Sequence, residues 1–370
     1  MNEAAGRADK EFMRHALALA ERGWGQTAPN PMVGAVVVLE GRVAGEGFHA
    51  RFGEAHAEIV ALREAGAAAK GATLYVSLEP CAHHGKTPPC ADAIIRAGVS
   101  RVVAAVGDPS RVARGGMEKL RAAGVSAHLS PAEERDAAVE LNAAFFHAQT
   151  SNRPWATLKL ALSADDRIAD PSRERRWITG EAARAEVHRL RANSDAIAVG
   201  IGTVLADDPA LTVRGVPAPR VAPRRVVFDS QARIPVESTL VRTARETPTI
   251  VIARPGADRK AVSALATHGV QVAAEPDLDA ALVALRAAGV RSLFLEGGAR
   301  LAGAFLAQSL VDRLIIFRSR RIVGHGPGAF DFAPAGFAAS LARTRVVDER
   351  PFGDDIMTIY ALHEVECSPA

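Results

Sequence analysis

Short β-branched runs alternate with amphipathic stretches along nearly the whole chain, and that alternation admits little besides layered α/β architecture. Phe12, Met13, Ala16, Leu17 and Ala20 share one face of a helix expected over residues 10–22. Residues 33–39 read as a buried strand, and Gly41-Arg42 turns it into a hairpin partner. The spacing then predicts helix 55–65, strand 73–77, helix 91–97, strand 101–106, helix 116–123 and strand 125–129. Ser130-Pro131-Ala132-Glu133 predicts a helix to residue 148, capped by Ser130, with Glu133 closing a capping box. The polar, proline-ended stretch Gln149-Thr150-Ser151-Asn152-Arg153-Pro154 marks a boundary, giving domains 1–150 and 151–370. A second series follows, with strands at 155–162, 196–200, 225–229, 249–253, 292–296 and 313–318. Helices are expected at 181–191, 259–268, 278–288 and 299–308, two edge strands within 343–363, and a lid or interface in the Gly-Pro-rich stretch 323–334.

Composition excludes several classes. The 45 basic and 42 acidic residues leave a formal charge of only +3, which is no nucleic-acid footprint, and 5% aromatics leave few platforms for stacking bases. No apolar run reaches the roughly 18 residues of a membrane span, and Glu3, Asp9, Glu11 and Glu21 are wrong for a secretory signal. Three cysteines are too few for a disulfide framework and suit a reducing compartment. A cytoplasmic enzyme is expected, with no nucleic-acid or membrane partner.

The chemistry of the first half lies in His56, Cys81 and Cys90. One imidazole and two thiolates suit tetrahedral zinc with a fourth position left open, and both cysteines fall at or near helix N-termini, which favour thiolates. Glu58, two residues past the histidine, can lie beside the metal and carry a proton from water to the leaving ammonia. His-x-Glu followed by Pro-Cys and a second Cys is the zinc-deaminase signature, here with eight residues between the cysteines instead of two. A lone His-Ala-Glu is common and a lone cysteine is usually a small hydrophobe; the combination carries the reading.

Pro29-Asn30-Pro31-x-Val33-Gly34, Gly45-x-Gly47-x-His49, His56-Ala57-Glu58 and the run Glu79-Pro80-Cys81-Ala82-His83-His84-Gly85-Lys86-Thr87-Pro88-Pro89-Cys90 resemble the bifunctional deaminase–reductases of riboflavin biosynthesis. The resemblance implies a cytidine-deaminase-like α/β/α domain acting on a diaminopyrimidinone that carries a phosphoribosylamino chain. It implies that Asn30, His49, His83 and Lys86 hold the base and phosphate. Asp108-Pro109-Ser110-Arg111 departs from the family's Asp-Pro-Asn-Pro.

In the second half Gly200-Ile201-Gly202 lacks the third glycine of a Rossmann fingerprint. Leu293-Phe294-Leu295-Glu296-Gly297-Gly298-Ala299 reads as strand, glycine pair and helix start, a junction whose amides cradle phosphate or merely make a tight turn. The resemblance continues through Lys159-x-Ala161-x-Ser163-x-Asp165, Trp177-Ile178-Thr179, Leu190-Arg191-Ala192, the run from Gly202 to Pro209 with Leu211-Thr212-x-Arg214, and Glu296-Gly297-Gly298. It implies a dihydrofolate-reductase-like α/β domain with NADPH as donor. By the same resemblance Ala161, Trp177, Thr203, Asp207, Ser230, Gly298, Ala299, Arg300, Leu301, Ala302, Gly303 and Ala304 lie along the cofactor. Lys159, Arg175, Arg191, Leu211, Arg214 and Glu296 lie along the substrate. Two guanidiniums suit a 5′-phosphate, and a lysine suits the polarisation that hydride addition needs. Asp166 stands where the family has a turn glycine, and Arg175 where it has serine.

The expected protein is thus an α/β enzyme of two domains that binds one zinc ion and NADPH, acts on phosphoribosylaminopyrimidines and forms a homo-oligomer. Zinc-dependent hydrolytic deamination comes first and reduction of the ribosyl chain to ribityl second. A rival reading is a nucleobase deaminase acting on nucleic acid or a free nucleotide, with a non-catalytic C-terminal binding domain. Another is a nucleotide sensor with structural zinc, which would need a fourth ligand that Cys367 supplies poorly.

Overall fold

The computed structural model describes residues 3–84, 88–169 and 177–365, so Lys86 and Arg175 lie outside the described residues. The chain divides into a unit that ends at Thr150 and takes in Val365, and a unit running from Ser151 to Glu364. The first holds helices α1 (Glu3–Glu21), α2 (Ala57–Ala65), α3 (Cys90–Arg96), α4 (Gly116–Ala122), α5 (Ala132–Leu141) and α6 (Ala143–Thr150). Its strands β1 (Gly34–Leu39), β2 (Arg42–Phe48), β3 (Thr73–Val76), β4 (Arg101–Ala104) and β5 (Ser126–Leu129) form one sheet in the order β2-β1-β3-β4-β5. Strand β1 runs antiparallel to β2 and β3, and β3, β4 and β5 are parallel.

Side chains alternate across a strand, so the unbroken apolar run of β1 serves two cores. Ala35 and Val37 pack with Ala61 of α2, Ile94 of α3 and Leu120 of α4, whereas Val36 and Val38 pack with Met13 and Ala16 of α1 and Ala138 of α5. The result is the expected α/β/α sandwich. One local expectation fails. Pro131, not Ser130, sits at the cap of α5, without a side-chain cap bond. The Glu133 carboxylate is engaged instead by Lys10 and Arg14 of α1, two cations that outbid a neutral backbone N–H. The helix also breaks at Asn142, whose amide accepts from the Met32 N–H and donates to the Met32 carbonyl, at 2.8 and 2.9 Å.

The second unit holds α7 (Glu181–Ala192), α8 (Ile201–Asp207), α9 (Thr239–Arg242), α10 (Arg259–Thr267), α11 (Leu278–Ala287), α12 (Ala299–Ala307) and α13 (Phe337–Ser340). Its strands are β6 (Trp155–Leu162), β7 (Ala196–Gly200), β8 (Arg224–Phe228), β9 (Thr249–Ala253), β10 (Gln271–Ala274), β11 (Ser292–Leu295), β12 (Arg313–Arg318), β13 (Val346–Phe352) and β14 (Asp355–Ala361). They form a nine-stranded sheet in the order β10-β9-β8-β7-β11-β6-β12-β14-β13, parallel up to β12. Helices α11 and α12 pack on Leu158, Leu160, Leu293 and Leu295 on one face, and α8, α9 and α10 pack on Ile197, Val199, Val227 and Val251 on the other. Of the two tail strands only β13 is an edge; β14 lies between β12 and β13. Strand β10 and helix α8 escape sequence reading, the first because Gln-Val-Ala-Ala has weak β character, the second because it opens on Gly200-Ile201-Gly202.

The stretch 323–334 begins tied to the turn after β6. The Asp165 carboxylate accepts from the Val323 and Gly324 N–H groups at 3.0 and 2.8 Å. A Cβ on Gly303 of α12 would collide with the Phe332 backbone, so glycine is required for that close approach. Asp166, which replaces the family's turn glycine, keeps the left-handed backbone (φ 59°) and ties its carboxylate to Arg318. Aspartate tolerates that region better than most residues, and the turn survives.

Candidate active site

The first site is built where α2 begins and β3 ends. His56 has extended backbone (φ −70°, ψ 158°) at the N-cap of α2, so Glu58 falls in the first turn, 3% exposed. After β3 the chain continues to Cys81, and Cys90 is the first residue of α3. The ligand atoms of His56, Cys81 and Cys90 lie within 4.8 Å of one another. Nδ1 of His56 is 3.2 Å from Cys90 Sγ and 3.7 Å from Cys81 Sγ, and the Cys90 N–H points at Cys81 Sγ at 3.4 Å. Hydrogen bonding from the Cys90 thiol and from His56 pulls Cys81 down to about 4, and the same sharing pushes Cys90 up. Burial raises the Glu58 carboxyl above its usual range, with the His56 charge pulling the other way. Two cysteine sulfurs and an imidazole nitrogen converge with no carboxylate among them, a set that fits zinc.

A cavity of about 370 Å³ opens on this cluster and is also lined by Asn30, His49 and His83. His49 is 2% exposed, and burial lowers its pKa, favouring the neutral ring. Its Nδ1 lies 3.1 Å from the Ala55 carbonyl and so carries the proton, which leaves Nε2 to accept from the Asn30 amide at 3.3 Å. His49 therefore orients Asn30. His83 Nδ1 is buried and has no hydrogen-bond partner among the described residues.

Glu79 and Asp108 carry no role that the sequence alone makes visible. Glu79 accepts from the N–H groups of Asp108, Gly115 and Met117, each at 3.0 Å, and so pins the segment beside the cavity. Gly116 has no room for a Cβ against the Pro80 carbonyl. Asp108 lines the cavity and accepts from the Ser110 N–H; burial pushes its carboxyl up to about 6. Of the two departures in this loop, Ser110 faces the cavity and Arg111 is exposed. The available signal was a carboxylate directly before Pro80-Cys81.

The second site lies at the carboxyl ends of parallel strands, where α/β sheets bind ligands. Glu296, just past β11, receives Nε and Nη2 of Arg191 at 2.5 and 3.0 Å, and Nζ of Lys159 from β6 is 3.9 Å away. Burial opposes the Glu296 carboxylate, but Arg191 and Lys159 together hold it below the usual range. Burial likewise lowers Lys159, with Glu296 resisting. Arg191 also donates to the Thr212 carbonyl at 2.9 Å, so its guanidinium is committed. Arg214 is exposed, and its backbone N–H meets His188 Nδ1 at 3.2 Å; His188, one turn before Arg191 on α7, was not anticipated. Leu211 is buried with left-handed backbone (φ 48°), a strained conformation of the kind that gathers at ligand sites.

The residues expected along the cofactor divide. A Cβ on Gly298, the N-cap of α12, would reach Thr203 Oγ1 at 3.9 Å, and one on Gly202 would meet nothing within 4 Å. Neighbouring strands β7 and β11 thus bring two glycine-led helix starts together with room between them, which fits a dinucleotide phosphate. Ser230 and Asp207 are exposed, and Leu301 packs beneath Gly200 and Gly297. Ala161 and Ala304 are half-buried, and Ala299 and Ala302 are buried. Gly303 faces Phe332, and Arg300 lies over the Phe332 ring. Trp177 is half exposed beneath the Arg184 guanidinium.

The cytidine and deoxycytidylate deaminase zinc-binding region matches residues 7–106, and the RibD C-terminal domain matches residues 154–357. The riboflavin biosynthesis protein RibD of Aquifex aeolicus is 41% identical over 355 residues, covering 95% of this chain and 98% of that protein. The chain belongs to the RibD family. RibD of Escherichia coli K12 is 42% identical over 331 residues, 85% of this chain and 89% of that protein. Two solved structures each cover 96% of this chain and 99% of their own. One is Acinetobacter baumannii RibD, with a TM-score of 0.80 at 36% identity. The other, with a TM-score of 0.82 at 32% identity, is a diaminohydroxyphosphoribosylaminopyrimidine deaminase/5-amino-6-(5-phosphoribosylamino)uracil reductase from Thermotoga maritima. The chain is accordingly a bifunctional deaminase and NADPH-dependent reductase of riboflavin biosynthesis, with zinc in the first half. No described helix is long and apolar enough to cross a membrane.

Proposed function

We propose that the first domain hydrolytically deaminates 2,5-diamino-6-(5-phosphoribosylamino)pyrimidin-4(3H)-one and that the second reduces the ribosyl chain of the product to ribityl. The observation that carries the first step is the buried Glu58 carboxyl beside the His56, Cys81 and Cys90 cluster. Zinc, when bound by those three residues, supplies Lewis acidity for water addition. Glu58 takes a proton from the attacking water and delivers it to the departing amino group; the ring carbon gains oxygen and ammonia leaves. Asn30, oriented by His49, and His83 hold the base.

In the second domain NADPH, when bound at the ends of β7 and β11, supplies the hydride. Lys159 polarises the open-chain ribosylimine so that its carbon accepts the hydride while the nitrogen gains a proton. Glu296 holds Lys159 and Arg191 in place. Since Arg191 is engaged by Glu296 and Thr212, the substrate phosphate falls chiefly to Arg214. Arg214→Met is expected to raise KM for the phosphorylated pyrimidine about 10- to 150-fold, the worth of one charged hydrogen bond, with kcat and NADPH binding little changed. Collapse of NADPH affinity at constant pyrimidine KM would put this arginine on the other ligand.

The whole reading is tested by supplying the diaminopyrimidine nucleotide with NADPH and following ammonia release and NADPH oxidation. NADPH oxidation should require prior deamination, stop when zinc is chelated, and resume when the deaminated compound is supplied. NADPH oxidation without ammonia release would reverse the order. The enzyme works in the cytoplasm as a homo-oligomer on small molecules, with no nucleic-acid partner; the charge balance of +3 supports the last point.

A further inference from the structure

The segment that carries Leu211 and Arg214 has no sheet ladder to fix it; residues 209–214 run as irregular backbone between α8 and β8. Among the described residues, three side chains hold it. Asp208 accepts from the N–H and the hydroxyl of Thr239 at 2.8 and 2.7 Å, which ties the start of the segment to α9. Arg191 donates to the Thr212 carbonyl at 2.9 Å. His188 Nδ1 accepts from the Arg214 N–H at 3.2 Å. His188 and Arg191 stand one turn apart on α7, so one helix face grips the segment twice.

The bond to Arg214 depends on the protonation of the ring. Charged groups act on it from three directions: Arg191 on the same helix, Arg214 from the segment itself, and Glu296 from beyond β11. Arg184, one turn earlier on α7, is turned instead to the Thr179 carbonyl and the Trp177 ring. Partial burial and the two guanidiniums lower the His188 pKa below its usual 6.5, while Glu296 and the Thr212 carbonyl resist. The ring at neutral pH is therefore uncharged, with the proton on Nε2 and Nδ1 free to accept. A proton on Nδ1 would remove the acceptor and set two N–H groups against each other.

We propose that His188 is a positioning residue of the reductase: its neutral Nδ1 fixes the Arg214 backbone so that the guanidinium meets the substrate phosphate, and protonation of the ring releases that grip. This rests on the assignment of the substrate phosphate to Arg214. The neutral ring is the competent form, so its contribution is present above the ring's pKa and lost as pH falls through it. A phosphate remote from the hydride is bound alike in ground and transition states, so the effect falls on KM for the pyrimidine and spares kcat. An imidazolium that bound the phosphate itself would have the opposite sign, tightening binding at low pH.

The test is to measure kcat and both KM values of the full-length zinc-loaded enzyme with the deaminated pyrimidine and NADPH, between about pH 5 and pH 8. The variants are His188→Ala, His188→Asn, Arg214→Met and the His188→Ala/Arg214→Met double. At the basic end His188→Ala should raise pyrimidine KM about 2- to 10-fold, the net worth of one hydrogen bond, with kcat and NADPH KM unmoved. In the Arg214→Met background the same change should add little, because His188 acts through Arg214. Asparagine places an oxygen near the position of Nδ1 and cannot take up a proton, so His188→Asn should recover most of the wild-type KM. It should also lack part of the rise in KM that wild type shows on the acid side. The substrate phosphate itself titrates near pH 6, equally for every variant, so the difference between wild type and His188→Asn isolates the ring. A pyrimidine KM unmoved by His188→Ala but raised by Arg214→Met would overturn the positioning role and leave the phosphate assignment intact. A wild-type KM that falls below that of His188→Asn toward acid pH would make the imidazolium a phosphate ligand and overturn the proposal. Arg214→Met without effect on pyrimidine KM would overturn the phosphate assignment and this proposal with it.

Discussion

Glu58→Gln is expected to lower deamination by roughly 10²–10⁴-fold, the worth of a positioned acid–base group, while the protein keeps one zinc per chain. The amide matches the carboxylate in shape but cannot accept and release a proton, so the ligand cluster stays intact. Cys90→Ser gives the contrast. It removes a sulfur ligand that lies 3.2 Å from His56 Nδ1, and zinc content should fall with the activity. In both variants the reductase should turn over already deaminated substrate at the wild-type rate, since the second site belongs to a separate unit of the chain. Metal analysis and the two separate assays check this. Near-normal deamination by Glu58→Gln, or full zinc content in Cys90→Ser, would remove the respective residue from its assigned role.

Glu296→Gln should be the most damaging single change in the second unit. The carboxylate is 11% exposed and bridges Arg191 and Lys159. Removing one member of a buried ion pair leaves the others uncompensated, at a cost of about 3–5 kcal/mol. Denaturant melts of the second unit should register that loss. Reductase turnover should fall roughly 10²-fold as Lys159 and Arg191 lose their placement. The pH profile carries the specific signature. Burial already lowers the Lys159 pKa from its usual 10.5, and Glu296 is the group that resists. If the ammonium is the active form, activity falls as pH rises through its pKa. Without Glu296 that basic limb should move to lower pH. An unmoved limb together with unchanged stability would show that the carboxylate supports neither group.

The positions of regular elements were largely legible because their cause is local. Strand β6 spans Trp155–Leu162 and β12 spans Arg313–Arg318, as the apolar runs predict. Where a distant partner competes, local rules fail. Glu133 would close a capping box in an isolated peptide, yet Lys10 and Arg14 of another helix claim it. Asn142 sits in a continuous helical pattern, but its amide serves Met32 more than a hundred residues earlier. The tail strands read alike in sequence, and only the sheet order makes β14 internal and β13 an edge.

By itself the sequence determined the two α/β units, the zinc-type ligand set with its carboxylate, and the family, because residue type, spacing and periodicity are properties of the chain alone. Tertiary structure decided what each polar group faces. It set Arg191 against Glu296 instead of leaving it for a phosphate, made His49 the orienter of Asn30, and turned Glu79 into the anchor of the segment beside the cavity. It also set His188 against the Arg214 backbone. Electrostatic and hydrogen-bond roles depend on distances of a few ångströms between residues far apart in the chain, and only the folded structure fixes those distances.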